Sequence, residues 1–229
     1  MIPLKDDLPT RTTPVVTIGL IAVNIVVFFY EISLGPSAEE FIFAFGAIPA
    51  NLVRGLEGGA PSIVAASSVL TSMFLHGGFM HVAGNMLYLW IFGNNIEDVM
   101  GHVRFVFFYI ICGVLAAYSH ALTEPGSRVP MIGASGAVSG VLGAYLLLFP
   151  HAKVLTLVPI GFFIQIIRIP AVLVLGIWFL VQTVSGLFSG GQVGGGIAWF
   201  AHVGGFLAGM ALIYPFKKKQ RKRRQEGWF

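Results

Sequence analysis

A run of small residues leads directly into an apolar segment at GASGAVSGVLGAYLLLF, residues 133–149. The apolar part contains no charged residue, so it predicts a helix that is buried or lies in a membrane. Ser135 stands between glycines at the start of this helix, and two interpretations of it are open. Small residues allow membrane helices to approach closely, which favours a packing role. A serine hydroxyl can also be a nucleophile when a base lies beside it.

The composition of the whole chain favours a lipid environment. The 229 residues are 56% hydrophobic and only 10% charged, and the mean hydropathy is +0.83. A soluble domain carries about 25% charged residues, so this chain cannot cover a surface that faces water. The single cysteine, Cys112, lies in an apolar run. It excludes a disulfide framework and is expected to be a small core residue.

Six apolar segments predict an all-α membrane protein, because helices satisfy their backbone hydrogen bonds within lipid. The segment between the first two, residues 34–80, is itself apolar and is expected to pack on or into the membrane surface. The predicted spans are residues 15–33, 81–97, 103–122, 134–149, 167–188 and 197–216.

The positions of lysine and arginine predict the orientation of these spans. Six spans place both termini on one side of the membrane. Twelve of the 14 basic residues then lie on that side, and only Arg54 and Arg128 lie on the other. Both termini are therefore expected to be cytoplasmic. The basic residues on the cytoplasmic side are Lys5, Arg11, Arg104, Lys153, Arg168 and the seven of the tail KKKQRKRR.

This organisation divides the chain into three parts. Residues 1–14 form a short cytoplasmic segment, residues 15–216 form one membrane domain, and residues 217–229 form a basic cytoplasmic tail. The tail is expected to bind lipid headgroups. No folded domain accompanies it, so nucleic acid is not an expected partner. The protein is expected to be a multi-pass membrane protein of a prokaryotic plasma membrane, and its oligomeric state is left open.

Polar residues begin three of the predicted spans. Spans two, four and six all run inward from the outer face, so their first turns lie at similar depth. Span two places His81 and Asn85 four residues apart on one helical face, span four begins with Ser135, and span six carries His202 near its start. Polar side chains at membrane depth are costly and commonly mark functional sites.

These four residues suit acyl transfer. His202 can act as the base that removes the proton of Ser135. The oxyanion that forms needs hydrogen-bond donors, which the start of the helix at Ser135, His81 and Asn85 can supply. The acidic residues Glu97 and Asp98 fall at the opposite end of span two. A Ser-His dyad is therefore favoured over a triad.

Other interpretations are open for each residue taken alone. His202 can be a core histidine bonded to a carbonyl, and Asn85 can join two helices. Glycine pairs four apart, Gly136 with Gly140 and Gly205 with Gly209, are typical of close helix packing. A zinc site is not expected, because the segment from His76 to His81 lacks the glutamate of an HExxH motif. No metal and no cofactor is predicted.

HGGFMHVAGN (76–85), GASG (133–136) and AHVGGFLAG (201–209), in this order, resemble the rhomboid family of intramembrane serine proteases. The resemblance covers about residues 15–216 and implies a six-helix bundle. It implies Ser135 as nucleophile, His202 as general base, and His81, Asn85 and the Ser135 backbone N–H around the oxyanion. The expected substrates are transmembrane segments of other membrane proteins, cleaved near the outer face.

The resemblance also implies supporting roles. Gly133 matches the first glycine of the family's GxSG pattern, and Gly205 and Gly209 match the glycines after its catalytic histidine. His76 matches a histidine of structural role. One departure is Ser139, which stands where some members have an aromatic residue packed on the catalytic histidine, and a hydrogen bond from Ser139 to that histidine is one expectation.

Two rival functions share some of these features. A catalytically inactive relative that binds or escorts membrane proteins would have the same fold, but such proteins usually lack the serine or the histidine. A small-solute transporter also places polar groups at membrane depth.

Overall fold

The computed structural model describes residues 1–56, 63–161, 163–188 and 197–218. Within these ranges the chain is mostly helical, with a 3-10 turn at Gly35–Ser37 and a π-helical turn at Leu89–Gly93. The helices are α1 Val15–Ser33, α2 Ala38–Phe45, α3 Pro49–Leu56, α4 Ile63–Ser72, α5 Phe79–Tyr88, α6 Asn94–Met100, α7 His102–Thr123, α8 Ser135–Leu148, α9 Ala171–Phe188 and α10 Trp199–Phe216.

The structure has helices at all six predicted spans. Four of them, α1, α7, α9 and α10, are long and apolar enough to cross a membrane. The second segment is α5, the π turn and α6, which follow one another without a break. The fourth is α8, whose 14 residues extend only about 21 Å. The count of six spans therefore stays a prediction.

Three strands correct the all-α prediction. They are β1 Ile2–Asp6, β2 Lys153–Ile160 and β3 Phe163–Pro170, and they form an antiparallel sheet in the order β1-β2-β3. The fifth predicted span, from residue 167, was wrong at its start because residues 163–170 are a strand and the helix begins at Ala171. Pro170 explains the boundary, since the residue before a proline is disfavoured in helical conformation.

α8 lies at the centre of the bundle. Its residues from Gly136 to Tyr145 are all buried. A Cβ atom placed on Gly205 would overlap the carbonyl oxygen of Gly136, and one placed on Gly209 would overlap that of Gly140. The backbones of α8 and α10 are therefore in direct contact, and this contact brings the starts of the two helices together.

A buried carboxylate joins α1 to α6 at one end of the bundle. Glu97 is fully buried and accepts hydrogen bonds from the backbone N–H groups of Val16 and Thr17, at 3.0 and 2.8 Å, and from the Thr17 hydroxyl at 2.7 Å. These N–H groups belong to the first turn of α1, where no intrahelical acceptor exists. The Glu97 carboxylate is therefore bonded to the start of α1, far from the serine.

Basic residues lie at the two ends of α7 and beside the sheet. At its start, Arg104 donates to the Lys217 carbonyl and Lys218 to the Asp98 carbonyl. Lys5, Lys153 and Arg168 line one cavity of about 380 Å³ beside the sheet. Beyond the end of α7, Arg54 and Arg128 line a second cavity of about 400 Å³. The basic tail from residue 219 onward, on which the orientation argument also rests, lies outside the described residues.

Candidate active site

Ser135 and His202 meet at the starts of α8 and α10. The Ser135 hydroxyl lies 2.8 Å from Nε2 of His202, which is hydrogen-bond distance. Both side chains are half-buried, so the pair is enclosed by helices yet keeps some contact with the outside. The close backbone contact between α8 and α10 sets this separation. A serine and a histidine in this geometry can exchange a proton.

The other ring nitrogen of His202 has a partner that the sequence analysis missed. Nδ1 lies 2.7 Å from the amide oxygen of Gln182, a buried residue of α9. Gln182 lies within the mostly apolar helix AVLVLGIWFLVQTVSGLF. A polar side chain within a span was the signal that could have identified it.

Aromatic rings pack against His202 from two sides. The centre of the Trp178 ring lies 6.0 Å from the centre of the imidazole, and the planes are tilted by 38°. The Trp199 ring lies 6.4 Å away, almost perpendicular. The aromatic contact with the histidine thus comes from α9 and from the first residue of α10, and not from α8.

The ring nitrogens of His202 bond Gln182 and Ser135, and the Ser139 hydroxyl bonds elsewhere. This hydroxyl donates to the carbonyl oxygen of Ser135 at 2.6 Å, one turn back along α8. The hydrogen bond from Ser139 to His202 that the sequence suggested is therefore not formed. A serine within a helix commonly bonds the carbonyl four residues earlier, and this local bond uses the only proton that the hydroxyl can donate.

His81 lies next to Gly133, two residues before Ser135. A Cβ atom placed on Gly133 would lie 2.7 Å from Nε2 of His81 and 3.6 Å from the Ser135 hydroxyl oxygen. Only a glycine fits here, because φ of Gly133 is +118° as well. The Gly133 N–H donates to the Ser72 carbonyl, which fixes the turn before α8. His81 thus reaches the start of α8.

Asn85 follows His81 by one helical turn on α5. It is buried, and its amide nitrogen has no hydrogen-bond partner among the described residues. A buried donor without an acceptor is costly, and each such group in a native protein calls for an explanation. The first-turn N–H groups of α8 add further donors, because no side chain caps that helix. The donors from α5 and α8 suit a developing negative charge.

The His76 ring packs against the His81 ring and is neutral at physiological pH. The two rings make an edge contact with their centres 5.0 Å apart. Burial, together with the neighbouring His81, lowers the pKa of His76 to about 4. The backbone N–H of His76 donates to the buried carboxylate of Glu31 on α1 at 3.1 Å. His76 therefore supports the loop before α5 and carries no charge next to the site.

No cluster of three or more histidine, cysteine, aspartate or glutamate side chains that could hold a metal ion occurs within the part of the chain described. The buried acidic side chains near the bundle core have other partners. Asp6 accepts from the Tyr145 hydroxyl at 2.6 Å, near the far end of α8, and Glu97 binds α1.

Three known proteins with rhomboid names are similar to this chain over more than half of its length. Rhomboid protease GluP of Bacillus subtilis is 34% identical over 203 residues, which are 88% of this chain and 36% of that protein. Rhomboid protein 1, mitochondrial, of Saccharomyces cerevisiae is 30% identical over 179 residues, 73% of this chain and 48% of that protein. The presenilin-associated rhomboid-like protein, mitochondrial, of Bos taurus is 30% identical over 122 residues, 51% of this chain and 32% of that protein.

The chain spans between 32% and 48% of the length of these three relatives. A family model described as the Rhomboid domain matches residues 65–219, which include α5, α8 and α10. The matched range therefore contains Ser135, His202, His81 and Asn85. With its long apolar helices and this match over more than half of its length, the chain is an integral membrane protein that belongs to the rhomboid family.

Proposed function

We propose that this protein is an intramembrane serine endopeptidase that cleaves transmembrane segments of other membrane proteins. The observation that carries the proposal is the 2.8 Å contact between the Ser135 hydroxyl and Nε2 of His202, at the starts of two helices in backbone contact. The relationship to a bacterial protein named rhomboid protease supports the same activity.

The reaction begins with proton transfer from Ser135 to Nε2 of His202. The serine oxygen attacks the substrate carbonyl carbon, and the carbonyl oxygen becomes an oxyanion. His81, Asn85 and the first-turn N–H groups of α8 stabilise that charge. The imidazolium then gives its proton to the leaving amine, and an ester to Ser135 remains. Water attacks this ester with His202 again as base, which releases the new carboxyl terminus and restores the serine.

A transmembrane helix resists this attack because its carbonyls accept hydrogen bonds within the helix. Substrates with glycine, proline or other residues that weaken a helix near the cut should therefore be preferred. α8 extends about 21 Å and a bilayer core is about 30 Å thick, so with the end of α8 at the cytoplasmic surface the serine at its start lies below the outer surface. Partial exposure of Ser135 and His202 leaves a route for water.

We further propose that residues 15–216 form the catalytic domain and that the site opens toward the outside, with both termini cytoplasmic. The separation of Arg104, at the start of α7, from Arg54 and Arg128, which line a cavity with Pro125 and Gly126 just after its end, supports this orientation under the positive-inside rule. A thiol reagent that cannot cross membranes should label Gly126→Cys in intact cells, and tags at both termini should stay protected. The native Cys112 is buried and does not compete. A C-terminal tag digested from outside would reverse this orientation.

The test of the proposed activity uses an activity-based probe and a model transmembrane substrate. A fluorophosphonate should label the detergent-solubilised protein at Ser135 and should fail to label His202→Ala, because the serine is then not activated. Cleavage of the substrate should be unchanged by chelators, since serine chemistry needs no cation. Activity that is lost with a chelator and restored by zinc would instead indicate a metalloprotease.

Absence of both labelling and cleavage would favour the alternative, a rhomboid-like protein that binds or escorts membrane proteins without cutting them. Such a protein would capture an intact transmembrane protein, and this capture would persist when Ser135 is replaced by alanine.

A further inference from the structure

We propose that Gln182 is a positioning residue, which holds His202 in the one tautomer able to accept the proton of Ser135. This inference rests on the proposed peptidase function and deepens it, because it adds a neutral third member to the serine-histidine pair. The sequence had favoured a dyad, since no acidic side chain was placed to complete a triad.

The two hydrogen bonds of the imidazole carry the proposal. The amide oxygen of Gln182 has no proton, so it can only accept, and Nδ1 of His202 must therefore carry the hydrogen across the 2.7 Å contact. A neutral imidazole with a hydrogen on Nδ1 has a free electron pair on Nε2. That electron pair faces the Ser135 hydroxyl at 2.8 Å. The opposite tautomer would present an N–H to the serine and could not act as its base.

The neighbours of Gln182 on α9 fix its position against α10. Trp178, one turn earlier, lies over the His202 ring and stacks on Phe206 with the planes 29° apart. At Gly186, one turn later, a Cβ atom would lie 3.1 Å from the Trp199 side chain. Positions 178, 182 and 186 share one helical face. This face packs on α10, and Gln182 is its central, polar member.

A neutral partner suits this location. A carboxylate in the same place would have to be buried in a membrane-spanning helix, where an unpaired charge is costly. The buried Glu31 and Glu97 are committed to the backbones of His76 and α1. An amide orients the ring without a charge, so it leaves the stabilisation of the imidazolium to other groups.

Two substitutions that nearly preserve the size of Gln182 distinguish a role in orienting His202 from a role in helix packing. Gln182→Met removes the acceptor and keeps the volume, so kcat should fall about 10- to 100-fold with KM unchanged, the range found when a metal-binding histidine loses the partner that orients it. Gln182→Glu keeps an acceptor at Nδ1 and should retain most of the turnover. Its carboxylate favours the protonated ring, so the acid limb of kcat/KM should move to higher pH.

The ring tautomer is measured independently of activity by ¹⁵N NMR of histidine-labelled protein in micelles, with the His202 signals assigned from His202→Ala. The native protein should show hydrogen on Nδ1 and a bare Nε2, and Gln182→Met should lose this preference. Hydrogen on Nε2 in the native protein, or a Met variant with native tautomer and native kcat, would overturn the proposal. If the tautomer follows Gln182 but the native protein cleaves nothing, the positioning role stands and the peptidase function fails.

Discussion

Replacement of Ser135 by alanine is expected to abolish cleavage of any transmembrane substrate while the protein stays folded. Removing the nucleophile of a serine protease lowers kcat by on the order of 10⁴- to 10⁶-fold. The structural cost is small, because the change deletes one hydroxyl at a half-buried helix start and one hydrogen bond, worth about 0.5–1.5 kcal/mol. The measurement is the cleavage rate in detergent alongside the thermal unfolding of the same sample.

Ser139→Ala is the matched control for this experiment. It deletes the same group one turn later on the same helix, where the hydroxyl bonds the carbonyl of Ser135 and not the histidine. We expect this variant to cleave at close to the native rate. Turnover that persists in Ser135→Ala, or that is lost equally in both variants, would contradict the nucleophile assignment.

The second large effect is expected at His202, and it should exceed the effects at Asn85 and His81. Without the base the serine keeps its proton, and general-base assistance contributes about 10²–10⁴-fold. A single oxyanion donor is worth about 10²–10³-fold, and the N–H groups at the start of α8 remain when Asn85 is lost. Asn85→Ala should therefore retain measurable activity, whereas His202→Ala should be nearly inactive. Initial rates at saturating substrate give this order.

Asn24 provides the control for the asparagine. It is also buried in a helix, but its amide donates to the Leu20 carbonyl, so it has a structural partner that Asn85 lacks. Asn24→Ala should lower the unfolding temperature, with a comparatively small effect on the cleavage rate. If Asn85→Ala and His81→Ala both cleave at the native rate, these residues join helices and do not bind the oxyanion.

The sequence predicted the helices better than the sheet. Long apolar segments such as α1 and α7 are unambiguous, because their length and composition leave few alternatives. The segment 163–170 is apolar as well, and a short apolar run does not distinguish a strand from a buried helix. Pro170 was a local signal for the boundary. The pairing of β1 with β2, which joins residues more than 140 positions apart, had no local signal at all.

The residues placed around the serine could be predicted because they are polar within apolar spans. Ser135, His202, His81 and Asn85 stood out for this reason, and the parity of the spans suggested a common depth. Gln182 satisfies the same criterion, and its late position in the outward-running span five gives it a similar depth, but only the starts of spans two, four and six were considered. Its contact with Nδ1 depends on how α9 packs against α10, which is a property of the three-dimensional structure.

The glycine contacts between α8 and α10 have a consequence for how the serine and histidine behave with temperature. Where side chains separate two helices, thermal changes of rotamer alter the helix spacing. At Gly136 and Gly205 there is no side chain to rotate, and the spacing is set by the radii of a carbonyl oxygen and a methylene group. The distance from Ser135 to His202 should therefore change little on warming, and any increase in rate with temperature should come from steps that admit the substrate and water.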